Sequence, residues 1–109
     1  MRITLAIALL LSPVSSAWAQ FLPPEEFDRP FDGPTVFRIA RDQDEVRRIC
    51  KAAFNTGQAP GCAKVIAGTC LIIKLPDSDI RELGIDPEVF RRHELGHCNG
   101  WGSDHKGAR

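Results

Sequence analysis

The chain has 109 residues, of which 43% are hydrophobic and 26% charged, with 14 Lys+Arg against 14 Asp+Glu. That length holds one domain, and the composition is too apolar for a disordered chain. The balanced charge argues against a non-specific electrostatic grip on nucleic acid, so no nucleic-acid partner is expected.

Arg2 opens a short positive region, residues 3–11 are apolar apart from Thr4, and Ala17-Trp18-Ala19 places small residues where a signal peptidase reads. Residues 1–19 are therefore expected to be a signal peptide cut before Gln20. The apolar run is about half of the ~20 residues that span a bilayer. The mature chain is accordingly expected to be exported, periplasmic or secreted, with no stable membrane insertion.

All four cysteines, Cys50, Cys62, Cys70 and Cys98, follow the expected cut. An even count in a small exported chain favours two disulfides, and three pairings are open. A zinc ribbon is disfavoured, because there is no Cys-x2-Cys pair and the gaps run 12, 8 and 28 residues.

Residues 20–34 form a proline-rich arm. Its prolines alternate with acids and phenylalanines, so it should be extended and without a ladder of its own. Phe21, Phe27 and Phe31 suggest that parts of it dock on the domain. Residues 35–40 read as a strand, since Phe37 and Ile39 alternate with Arg38 and Arg41. Asp42 or Asp44 can cap the next helix, which runs to about Asn55 and buries Val46, Ile49, Cys50 and Ala53 while Arg47, Arg48 and Lys51 face water. Asn55-Thr56-Gly57 supplies its stop.

Residues 62–67 and 70–75 are strand-like runs around Gly68-Thr69, a β-hairpin. Pro76-Asp-Ser-Asp ends it, and residues 79–83 make one helical turn. The last helix has the clearest start: Asp86 as N-cap, Pro87 at the first position, Glu88 at the positive end of the dipole, and Ile85 with Phe90 as a hydrophobic staple. It should run to about Asn99 and stop at Gly100.

On this helix stands His93-Glu94-Leu95-Gly96-His97, an H-E-x-x-H pattern. Histidines four apart project from one face, so both imidazoles can hold one zinc ion, with Glu94 turned aside but within reach of an activated water. Gly96 costs the helix about 1 kcal/mol relative to alanine, which suggests that another backbone or a substrate comes close there. Gly100 and Gly102 let the chain fold back and present Asp104 and His105. His105 is the favoured third ligand, with Asp104 as the alternative or as a partner orienting a histidine.

The segment H-E-L-G-H-C-N-G, residues 93–100, resembles the active-site helix of the zincin metallopeptidases, and His97-x-x-Gly100 is similar to the metzincin branch. The metzincin third-ligand position falls on Ser103 here, and the only methionine is Met1, so the branch is left open. The resemblance implies a minimal exported bacterial zincin-like metal-binding domain over residues 35–109. Its fold class would be α+β: a small antiparallel or mixed sheet packed on one backing helix and one C-terminal active-site helix, stabilised by disulfides. It further implies a zinc metallopeptidase acting on a peptide or protein substrate. One zinc ion would be held by His93, His97 and His105, with Glu94 as general base toward a zinc-activated water.

Trp101 then either walls a substrate pocket or serves as a core residue. The hairpin edge at residues 70–75 would pair with an extended peptide. A disulfide from Cys98 would fasten the active-site helix to the rest. Two other readings stand beside this one: a non-catalytic zinc-binding module that docks on a partner, and a disulfide-stabilised interaction domain without metal.

Overall fold

The computed structural model describes residues 21–54 and 59–109, leaving aside the side chains of 52–54. The expected signal peptide with its cut before Gln20, and the helix stop at Asn55-Thr56-Gly57, lie outside the described residues. Within them the elements are β1 (Thr35–Ile39), α1 (Gln43–Phe54), β2 (Gly61–Ile66), β3 (Thr69–Lys74), α2 (Asp77–Glu82) and α3 (Pro87–Cys98). This is an α+β fold around one three-stranded mixed sheet of order β1-β3-β2. β1 runs parallel to β3, with Phe37 beside Ile72, and β2 runs antiparallel to it, with Cys62 beside Ile73.

The local chemistry explains most boundaries. Asp42 caps α1 by accepting from the Glu45 N–H at 2.9 Å. The hairpin turns on Ala67-Gly68, at φ +49° and +78°, one residue earlier than Gly68-Thr69. With positive φ at both central residues this is a type I′ arrangement, which the β-branched Thr69 would resist and alanine tolerates better. Helix α2 begins at Asp77, two residues before the expected turn. Pro76 precedes it with φ −54°, and Asp77 and Asp79 sit at its positive end.

Alternation along β3 splits the core in two. Ile73 and Leu75 join Val46 and Cys50 of α1, while Cys70 and Ile72 meet Leu95 and Cys98 of α3. One disulfide staples each of the two longer helices to the sheet: Cys50–Cys62 ties α1 to β2, and Cys70–Cys98 ties α3 to the central strand. Each contributes about 2–4 kcal/mol, mainly by restricting the unfolded chain. In so small a domain that is a large share of the stability. The pairing fits a protein of an oxidising, extracellular compartment, and no described helix is long and apolar enough to cross a membrane.

One expectation is corrected. The segment at residues 70–75 is not an edge: β3 is the central strand and both its sides are paired. Its N–H and C=O groups are spent on β1 and β2, so the free edges belong to those two strands. On β1 the alternation marked the strand but not its cover, and Phe37 and Ile39 remain 43% and 54% exposed.

Candidate metal centre

Helix α3 is fixed at both ends before any ligand is considered. The Asp86 carboxylate accepts from the Glu88 N–H at 2.7 Å, Pro87 follows, and the staple residues Ile85 and Phe90 are both buried. At the far end Cys98 is held by Cys70, and Gly100 leaves the helix at φ +107°, a turn that a side chain would strain. Between these anchors Phe90, His93 and His97 form one stripe.

The histidines converge. Nε2 of His97 lies 3.2 Å from Nε2 of His93 and 3.2 Å from Nε2 of His105. The ligand atoms of all three lie within 4.8 Å of one another. His93 is buried, His97 half-buried and His105 exposed, so the cluster opens to solvent on the side of the tail.

The other ring nitrogens decide what the Nε2 atoms present. His93 Nδ1 is 2.6 Å from the Phe21 carbonyl and His97 Nδ1 is 2.9 Å from the Trp101 carbonyl. A carbonyl only accepts, so each Nδ1 carries the hydrogen and each Nε2 presents a lone pair. Two facing lone pairs repel unless a positive charge lies between them. A proton is a poor candidate, because burial pushes the His93 imidazole down to about 3 and lowers His97 as well. With the ring of His105 beside them, these two imidazoles complete a three-histidine donor set that can hold a metal ion.

The other expected site residues fall into distinct places. Glu94 is 3% exposed, and burial alone raises its carboxyl to about 8. Asp104 turns back into its own loop, where Oδ1 accepts from the Lys106 N–H at 3.3 Å. Trp101 is 4% exposed, stacks on His97 with ring centroids 4.8 Å apart, and donates its indole N–H to the Lys106 carbonyl. Its ring thus supports the histidines and offers little surface for a substrate.

The arm is built into this centre. Phe21 stacks on His93 at a centroid distance of 3.8 Å and an interplanar angle of 11°. Asn99 donates to the carbonyls of Phe27 and Arg29. The arm also accounts for Gly96: a Cβ there would lie 2.7 Å from Cβ of Pro23 and 3.3 Å from the Trp101 ring. The close neighbour is thus the chain's own arm. Gly96→Ala is therefore expected to lower the melting temperature by a few degrees. Overpacking costs about 1–3 kcal/mol, which outweighs the ~1 kcal/mol that alanine returns to the helix. A higher melting temperature in thermal unfolding would show that Pro23 does not seat there.

Phe21 as a partner of His93, and Asp28 and Arg109 described below, escaped the sequence reading. A carbonyl acceptor leaves no mark in side-chain pattern; the phenylalanines of the arm were the only signal. No protein-family model, curated protein or solved structure matches the chain.

Proposed function

We propose that the chain is an exported zinc-dependent metallopeptidase, with His93, His97 and His105 as zinc ligands and Glu94 as general base. The observation that carries this reading is the convergence of three Nε2 atoms on the helix that also bears Glu94. Zinc–nitrogen bonds of about 2.0–2.1 Å at tetrahedral angles put ligand nitrogens roughly 3.3 Å apart, and the 3.2 Å separations fit that figure. Three protein ligands with a side open to solvent is the arrangement of hydrolytic rather than structural zinc.

Zinc, when bound, supplies a Lewis acid that polarises a carbonyl and brings the ionisation of water toward neutral pH. The remaining work belongs to the chain. Glu94, whose carboxyl burial raises to about 8, would in its ionised form take a proton from the attacking water and then pass it to the leaving amine. The carbonyls of Phe21 and Trp101 hold two imidazoles in the ligating tautomer. The peptide-pairing edge, displaced from β3, passes to β2. A Cβ on Gly61 of that strand would lie 2.5 Å from the Phe90 ring, one turn before His93, and an extended peptide adds to this edge by main-chain hydrogen bonds.

A second reading has its own observation. A carboxyl buried to 3% exposure suits a metal-binding module in which Glu94 is a neutral interior group. The variant Glu94→Gln separates the two. Under the peptidase reading it keeps its zinc and loses about 10²–10⁴-fold in peptide hydrolysis. Zinc-loaded parent and variant with equal hydrolysis, or with none, would leave the module reading.

A further inference from the structure

The three ligands do not share one rigid support. His93 and His97 ride on α3, whereas His105 lies in the exposed segment after Gly102 and adopts φ +55°, a left-handed conformation that costs a side-chain-bearing residue. Locally that segment is held by the His105 N–H on the Gly102 carbonyl at 3.0 Å and the Ala108 N–H on the His105 carbonyl at 3.2 Å. The firmer hold comes four residues later. Arg109 and Leu22 exchange backbone hydrogen bonds at 3.0 and 2.8 Å, and Arg109 Nε donates to the Pro23 carbonyl at 2.8 Å.

One carboxylate joins this tail to the helix. Asp28 takes Arg92 in a two-pronged pair, Nε to Oδ1 at 2.9 Å and Nη2 to Oδ2, and takes Nη2 of Arg109 on Oδ2 at 2.7 Å. Arg92 immediately precedes His93, and Arg109 follows His105 by four residues. The Asp28 side chain is 11% exposed, so water screens these charges less than it would at an open surface. The other acid near Arg109, Glu25, is 3.7 Å away and 90% exposed.

We propose that Asp28 is the positioning residue of the metal centre, the anion that holds two guanidinium groups together and so keeps the His105 tail against α3. The proposal rests on the metal-centre reading of the three histidines and does not depend on peptidase activity. Without the carboxylate, Arg92 and Arg109 are like charges with nothing between them. The tail is then pushed from the helix while His93 and His97 stay in place. Asp28 touches no ligand ring; it acts through the distance between two parts of the donor set.

The test uses the full mature chain and Zn²⁺ in competition with a chelator. Asp28→Asn is expected to weaken zinc binding about 10–100-fold, the usual effect of losing a group that orients ligands. In a His105→Ala background the same substitution is expected to cost nothing further, because the ligand it positions is gone. Amide exchange in the metal-free protein gives a second measurement. Protection at His105, Ala108 and Arg109 is expected to fall in Asp28→Asn while Asn99 keeps its own. Unchanged zinc affinity, an equal loss with and without His105, or unchanged protection of the tail would each overturn the proposal. A parent chain that binds no zinc would overturn the metal-centre reading and this proposal together, whereas a tight-binding parent with an indifferent Asp28→Asn would overturn only the latter.

Discussion

Replacing His97 with alanine is expected to weaken zinc binding by about two to three orders of magnitude. Its Nε2 is the one that lies 3.2 Å from both other donors, so its loss leaves a pair rather than a cluster. Four-ligand structural zinc sites bind with about 10–16 kcal/mol. One ligand is then worth roughly 3–4 kcal/mol, and 1.4 kcal/mol is a factor of ten. His97 also carries a second duty, its Nδ1 on the Trp101 carbonyl, so the alanine variant removes one hold on the segment that leads to His105. Asp104→Ala is the contrasting case. Its carboxylate is occupied with the Lys106 N–H, so zinc affinity should stay within a few-fold of the parent. Chelator-competition titrations on the purified variants decide this. An Asp104→Ala loss as large as that of His97→Ala would move the third ligand from the imidazole to the carboxylate.

The contrast marks what pattern can and cannot carry. Caps and staple made α3 legible, because Asp86, Pro87, Ile85 and Phe90 act over four residues and need nothing distant. The same locality let residues 93, 97 and 105 be read as one cluster, since a helical turn and a glycine-rich return bring them together. The sheet order was not legible. Which strand lies in the middle depends on where β1 lands after α1, and no short-range signal encodes it. That is why the substrate edge was placed on β3, which is central. Gly96 was read as a point of close approach by a backbone or a substrate, whereas what comes close is the side chain of Pro23, 73 residues earlier, with that of Trp101. Asp28 was invisible for the same reason: it meets the guanidiniums of Arg92 and Arg109, 64 and 81 residues later, only in three dimensions.

Protonation offers the other large effect, and it reads the metal-free protein directly. In chelator, stability is expected to rise from about pH 4 to about pH 6.5 and to fall again toward pH 8. The acid limb comes from His93, whose imidazole burial pushes down to about 3 from an ordinary 6.5. Below pH 6.5 the unfolded chain takes a proton that the folded chain refuses, so folding weakens as pH falls, by up to about 1.4 kcal/mol per unit. His97 is lowered in the same direction, and Asp28, held down by Arg92 and Arg109, adds to the loss near its ordinary carboxylate range.

Glu94 works the opposite way. Burial raises it to about 8, so from about pH 4.3 upward the unfolded chain sheds a proton that the folded chain keeps. Against the two histidines this is masked below pH 6.5 and unmasked above it, where the imidazoles no longer titrate in the unfolded chain. Glu94→Gln should therefore abolish the alkaline fall, steepen the acid limb that the carboxyl partly masks, and make the metal-free protein more stable than the parent at pH 8 by a few kcal/mol. Denaturant unfolding in chelator from pH 4 to 9 measures both limbs. Parent and Glu94→Gln curves that stay parallel up to pH 9 would mean that the carboxylate is ionised and well solvated at neutral pH. That outcome would remove the reading of Glu94 as a neutral interior group and leave it in the ionised form in which a general base takes a proton.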